Sequence, residues 1–320
     1  MILTNRNSET YPSYACGKAI IVGEHAAIHG ATAIAIPLKE LQVQLTLSTK
    51  ENKNLNSFAD NVGEKIQDEN FSFNLLKLLK KAFEIIGQSY TPLPIKIRSN
   101  ILIGSGLGSS AALCVSLIRF LSDYYQKKFS PPEIAKLANE LEKLFHGNPS
   151  GLDTAVISFE KPVIYQKGTP PSFIKVNSLP LHNKKFRWPF VIIDTGERTP
   201  TYLMVEKTKK YFTGDSGKKR IAQTNQMACD IIDSFNENNL EKMAKTINTA
   251  AHSLEEIGIV TEHAKEISSQ ARNLGIPAIK VTGSGGGGCL LALLDPLKSK
   301  EQHENLTQLL GKNKVFQIYL

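Results

Sequence analysis

Near the C-terminal end, between the apolar segments Ala278 to Thr282 and Cys289 to Leu294, the chain runs Gly283-Ser284-Gly285-Gly286-Gly287-Gly288. Six small residues in a row add nothing to packing and raise the entropy lost when the backbone is ordered. Such a run is kept where a ligand or another stretch of backbone must come very close, or where a loose hairpin joins two strands. A second glycine-rich stretch, Gly104-Ser105-Gly106-Leu107-Gly108-Ser109-Ser110-Ala111-Ala112, leads straight into a helical apolar pattern. Glycines there let backbone N–H groups approach phosphate oxygens, and a helix start adds favourable partial charge; the bland reading is a plain strand-to-helix connection. The stretch is not a GxxxxGK[ST] loop. Nor does Tyr124 to Phe129 hold the acidic residue that a dinucleotide fingerprint would require.

Hydrophobic periodicity fills in the rest. Strands are expected at Ser13 to Val22, Ala33 to Pro37, Leu41 to Ser48 and Pro94 to Arg98, with a polar loop over Asn52 to Asn61 and a helix over Phe71 to Ile86. Helices follow from Ser109 to about Tyr125 and, opened by Pro131 and Pro132, from Glu133 to about Phe145. The second stops at the turn-rich run His146 to Gly151, after which short strands are expected. A strand over Phe190 to Asp194 precedes a helix-rich region, Pro200 to Phe212, Lys219 to Phe235, Leu240 to Leu254 and Thr261 to Leu274. The two strands around the glycine run, a helix over Lys298 to Leu310 and a strand over Lys314 to Tyr319 close the chain. The change in texture near Asn183 divides it into two lobes, 1–183 and 184–320, and 320 residues suffice for two cores.

Three function classes are disfavoured by composition. The net charge of +8 is spread along the chain with no basic run interleaved with aromatics, which speaks for solubility and an anionic ligand rather than nucleic acid. No apolar stretch reaches the ~18 residues of a membrane span. Met1 to Ser13 lacks the pattern of a secretory signal, and Cys16, Cys114, Cys229 and Cys289 are scattered among small or apolar neighbours. They read as reduced core thiols of a cytoplasmic protein.

Five side chains carry candidate chemistry. Asp153, after the tight turn at His146 to Gly151, could take the proton of an attacking hydroxyl or simply serve the turn. Glu142, on the preceding helix, reads as a magnesium ligand or as an exposed helix charge. Lys18 lies in an apolar strand, so its ammonium either meets a specific partner or snorkels to the surface. His25 and His29 would need a helix and a third ligand to bind metal, and a hydrogen-bonding role suits them better.

Taken in order, Ala15-Cys16-Gly17-Lys18 with Gly23-Glu24-His25 and His29-Gly30, then Gly104 to Ala112, then Lys280 to Cys289, resemble the three motifs of the GHMP small-molecule kinases over nearly the whole chain. His146 to Asp153 resembles the version found in the branch that acts on mevalonate. The resemblance implies an α+β, two-lobed fold: an N-terminal lobe with a left-handed βαβ unit and a C-terminal ferredoxin-like lobe, with ATP and substrate between them. It implies transfer of the γ-phosphoryl group of ATP to the 5-hydroxyl of mevalonate, with Mg2+, and a homodimer. By position it makes Asp153 the base and Lys18 the cation beside it. Gly104, Ser105, Gly106, Leu107, Gly108, Ser109, Ser110 and Ala111 form the phosphate cradle, and Ser110 and Glu142 hold the metal. Glu24, His25, Asp153 and Thr201 fall on the substrate side, and Thr282, Gly283, Ser284 and Gly285 in the third-motif loop. Thr154 and Tyr202 depart from the family pattern; many relatives have a basic residue at the second position, a role that Arg198 is the neighbouring residue to fill. That departure keeps open other acceptors: phosphomevalonate, the 3-hydroxyl of mevalonate, or a sugar. A ligand sensor without turnover would have no need of the Lys18, Ser110, Glu142 and Asp153 set.

Overall fold

The computed structural model describes residues 12–47, 57–59, 69–147, 149–181 and 184–320. The Asn183 boundary, Asn148 of the turn and much of the 52–61 segment lie outside them. Contacts group the chain into two compact units. The first comprises the described parts of Met1–Gly17, Lys39–Leu102 and Ser109–Phe159; the second comprises Lys18–Leu38, Ile103–Gly108 and the described parts of Glu160–Leu320.

The first half of the chain contributes β1 (Ser13–Val22), a short 3-10 turn (Ala26–His29), β2 (Ala33–Leu47), β3 (Ser57–Ala59), α1 (Glu69–Ile85), β4 (Ile95–Ser99), α2 (Ser109–Tyr124), α3 (Pro131–His146) and α4 (Leu152–Phe159). Four short strands follow, β5 (Val163–Tyr165), β6 (Ser172–Phe173), β7 (Leu179–Leu181) and β8 (Lys184–Phe186). Then come β9 (Pro189–Asp194), α5 (Thr201–Lys209), α6 (Gly214–Glu237), α7 (Leu240–Glu256), α8 (Glu262–Asn273), β10 (Ala278–Thr282), β11 (Cys289–Leu293), α9 (Ser299–Leu310) and β12 (Val315–Tyr319).

In the first unit the later half of β2 pairs antiparallel with β4, Val43 opposite Ser99 through Leu47 opposite Ile95, and β3 runs parallel to β4. The two strands expected on either side of Pro37 are one. Pro37 falls between the segment of β2 paired with β5 and the segment paired with β4, where its missing N–H leaves neither of those ladders short of a bond. A strand also stands at Ser57–Ala59, inside the expected loop, because β4 offers it a free edge. Helix α2 packs on α3 and α4. Helix α3 begins at Ser130, whose N–H and hydroxyl both donate to Glu133, and ends at Gly147 with φ +66°. The short strands expected after that turn are β5 to β8, but an unexpected helix, α4, comes before them. Its apolar run Ala155-Val156-Ile157 is buried, and a buried run this short carries no period that separates strand from helix.

The second unit is built on an antiparallel sheet in the order β10-β11-β9-β12. With helices α5–α8 between β9 and β10, and α9 between β11 and β12, this is the ferredoxin-like arrangement. One face packs Val191, Ile193, Ile279, Val281, Leu290 and Ala292 against Leu254, Ile267, Ala271 and Leu306 of the helices. Because side chains alternate along a strand, Lys280 and Thr282 of β10 point to the other face, onto Ile20 of β1 and Glu24 beyond it. Among the described residues no helix is long and apolar enough to cross a membrane.

One cysteine departs from expectation. Cys16, Cys114 and Cys289 are buried, but Cys229 is exposed. The buried face of α6 carries Thr224, Met227, Ala228, Ile231 and Phe235, and residue 229 lies on the opposite side of that helix. Burial raises the Cys114 and Cys289 thiols, Cys289 to about 12, so both stay protonated and unreactive. A thiol titration of the native protein should therefore find one fast-reacting group, absent in Cys229→Ser, with the other three appearing on unfolding.

Candidate active site

In the second unit the two glycine-rich loops meet each other. A Cβ on Gly283 (φ +87°) would stand 2.8 Å from the Cα and carbonyl oxygen of Gly106, and one on Gly288 would stand 2.7 Å from the carbonyl oxygen of Ser105. The remaining glycines of the run are closed in the same way, Gly285 by Ile259, Gly286 by Thr199 and Met204, and Gly287 by Glu197. The run is therefore glycine-rich because other parts of the protein pack tightly on it, the backbone of the Gly104–Gly108 loop at Gly283 and Gly288 and side chains at Gly286. The loop Gly104–Gly108 has its own left-handed glycines at 104, 106 and 108 and leads into α2 at Ser109.

The end of β1 is fastened to the same loop. The backbone N–H of Lys18 donates to Leu107 at 2.9 Å, and its ammonium donates to the Gly106 carbonyl at 2.9 Å. Lys18 is 3% exposed, so it does not snorkel. Two residues on, the Thr282 hydroxyl accepts from the Ile20 N–H at 2.8 Å, tying β1 to β10.

Glu24 is fully enclosed and paired with the buried Lys280, which also donates to the carbonyls of Val281 at 2.6 Å and Ile20 at 3.3 Å. Burial pushes the Glu24 carboxyl up and the Lys280 ammonium down, each opposed by the attraction of the other. His25 follows with φ +58°. Its Nε2–H donates to the Ser284 carbonyl at 2.8 Å, which leaves Nδ1 to accept from the Thr208 hydroxyl at 2.9 Å. Burial lowers the pKa of His25 and keeps the ring neutral. Thr201 opens α5, exposed, with its hydroxyl 3.3 Å from that of Ser284. Tyr202 is 71% exposed. Arg198 does not fill the basic position: its guanidinium grips Asp194 through two bonds of 2.7 and 3.0 Å and also holds the Ile103 and Glu197 carbonyls.

The first unit holds the rest. Ser109, Ser110 and Ala111 form the first turn of α2, and Glu142 lies buried on α3 with an oxygen 3.3 Å from the Ser110 hydroxyl. The exposed-charge reading of Glu142 is thus set aside. His146, one turn further along α3, brings Nε2 to 3.0 Å from the same hydroxyl. Asp153 is half-buried in the first turn of α4.

Ser110 and Glu142 fit a divalent cation: a buried carboxylate and a hydroxyl 3.3 Å apart in the first unit. Among the described residues no three His, Cys, Asp or Glu side chains converge, so the remaining oxygens would come from phosphate and water, as Mg2+ prefers. Two contributors had no role assigned from sequence. Lys280 gave the same signal as Lys18, a lysine inside an apolar strand. His146 stands four residues after Glu142, a spacing that shares one helix face once the helix is known to include it.

Two stability measurements test this packing by urea denaturation. Gly283→Ala should cost about 2–4 kcal/mol, from left-handed strain together with the clash on Gly106. Lys280→Met, which strands Glu24 in the interior, should cost about 3–5 kcal/mol, and the apolar pair Lys280→Met with Glu24→Leu should recover most of it.

The comparisons with known proteins agree with this geometry. The family model for the N-terminal domain of GHMP kinases matches residues 70–161, and the model for the C-terminal domain matches 231–310. A mevalonate kinase of Thermococcus sibiricus is 26% identical over 307 residues, 89% of each chain. One of Pyrococcus furiosus is 27% identical over 309 residues, again 89% of each. The crystal structure of the Methanococcus jannaschii mevalonate kinase superposes with a TM-score of 0.76 at 22% identity, covering 98% of both chains. Matched by the models of both of its family domains, the chain belongs to the GHMP kinase family and has its mixed α/β two-domain fold.

Proposed function

We propose that this protein transfers the γ-phosphoryl group of ATP to the 5-hydroxyl of mevalonate. The observation that carries the phosphotransfer reading is the buried Glu142 carboxylate meeting the Ser110 hydroxyl in the first turn of the helix that follows the glycine loop. Similarity to mevalonate kinases along 89% of the chain supports the acceptor.

Phosphoryl transfer asks mainly for positioning and for neutralisation of the moving charge. In this reading the N–H groups of Gly104–Gly108 and of the first turn of α2 take the ATP phosphates. Glu142 and Ser110 hold the divalent cation, which when bound offsets phosphate charge. Asp153 accepts the proton of the attacking hydroxyl. Lys18, desolvated and held at the Gly106 carbonyl, supplies positive charge on a stem that is already ordered. His25, with both ring nitrogens engaged, acts on the substrate side by fixing Ser284 and, through Thr208, α5 with its Thr201. Glu24 likewise acts through Lys280, as the anchor of the turn that carries His25.

Phosphomevalonate is the acceptor that the observations disfavour. Its extra phosphate calls for another cation, and Arg198 is already spent on Asp194. With Mg-ATP the purified protein should form 5-phosphomevalonate, identified by phosphorus NMR; phosphorylation of phosphomevalonate, galactose or homoserine in its place would overturn the acceptor. Asp153→Asn should lower kcat by about 10²- to 10⁴-fold with mevalonate affinity within a few-fold of wild type. Turnover near wild type in that variant would remove Asp153 as the base and leave the phosphate cradle untouched.

A further inference from the structure

We propose that His146 is a third protein donor to the divalent cation, through Nε2, which makes the cation position a mixed nitrogen–oxygen site with heightened affinity for transition metals. The proposal rests on the reading of Ser110 and Glu142 as cation ligands and adds to it.

Three donor atoms of the first unit face one another. The Ser110 hydroxyl is 3.3 Å from Glu142 Oε1 and 3.0 Å from His146 Nε2, and those two are 3.9 Å apart. The centre of a triangle with these sides lies about 2.0 Å from each corner, and first-row divalent cations bind nitrogen and oxygen at roughly 2.0–2.2 Å. An ion at or just off that centre would touch all three without displacing the backbone.

Helical spacing produces the triangle. Glu142 and His146 are four residues apart on α3, and His146 is its last residue before the left-handed Gly147. The Glu142 side chain is 4% exposed and that of His146 38%, so the carboxylate forms the floor and the imidazole the rim on the solvent side. With its proton on Nδ1 the imidazole presents a neutral lone pair at Nε2, so it adds a ligand without changing the charge set by Glu142. Imidazole suits first-row transition metals, whereas Mg2+ favours oxygen and keeps its waters. A purely oxygen site discriminates less between them.

The test uses the full-length protein with Mn2+ and tripolyphosphate, which supplies phosphate oxygens without a nitrogen. Pulsed electron paramagnetic resonance of the wild type should show coupling of Mn2+ to a directly bound nitrogen, and His146→Gln should abolish it. Competition titrations should show His146→Gln weakening Co2+ and Mn2+ by about tenfold and Mg2+ by less than about threefold. The variant changes a half-exposed side chain, and its thermal unfolding should match wild type. Mn2+ held through Glu142, as shown by loss of binding in Glu142→Gln, but with no nitrogen coupling in the wild type would overturn the role of His146 and leave the phosphotransfer reading standing. Mn2+ binding indifferent to Glu142→Gln would overturn both the cation assignment and this proposal, whatever the protein does to mevalonate.

Discussion

The approach of Gly106 to Gly283 is the constraint on which the second unit turns. Gly283 has no room for a methyl group and Gly106 very little, and each glycine holds a backbone conformation that other residues avoid. Since the segments are joined without side chains, no change of rotamer can relax the contact, and the loop that leads into α2 inherits the rigidity of the β10-β11 sheet. Lys18 adds a second fixing point on the same loop, through its backbone and its ammonium. A cradle for anions works only if its donors are aimed before the anion arrives, and in the proposed role of this loop the aiming would be done by packing behind it.

Two buried ammonium groups, Lys18 and Lys280, come from the same kind of sequence and do different things. Lys280 is spent internally: Glu24 and two carbonyls enclose it, and the pair secures the turn after β1 against β10. Lys18 is held at a carbonyl of the loop proposed to take the phosphates. Burying either charge costs free energy, offset for Lys280 by a full countercharge. The distinction follows from strand alternation, which sends Lys280 to the face of β10 opposite the helical core.

Much of this was legible from the amino acids, and the limits have physical causes. Long periodic segments such as α7 and α8 follow from apolar spacing, and the glycine loops announce close approach. What approaches them is set by contacts between residues far apart in the chain, such as Gly106 with Gly283, which no local pattern encodes. Helix α4 was missed because eight largely buried residues look alike in either period. Cys229 stands next to the buried Met227, Ala228 and Ile231 in sequence, but the helix turns it to the opposite side of α6. Arg198 looked available until Asp194, four residues earlier at the end of a strand, was seen to claim it. The grouping of Lys18–Leu38 and Ile103–Gly108 with the C-terminal half arises from strand pairing and loop contact rather than from composition along the chain.

A stretch of glycine is usually equated with slack, and the run from Gly283 to Gly288 shows what that equation leaves out. The N–H of Gly286 is bonded to Ile259 and that of Gly288 to Glu197, and the carbonyl of Ser284 receives His25. Amide hydrogens locked in this way exchange with solvent only when the surrounding sheet opens. The segment with the least side chain in the molecule thus belongs, on the timescale of deuterium uptake, with the strands that flank it. A protease or an exchange experiment would meet it as core.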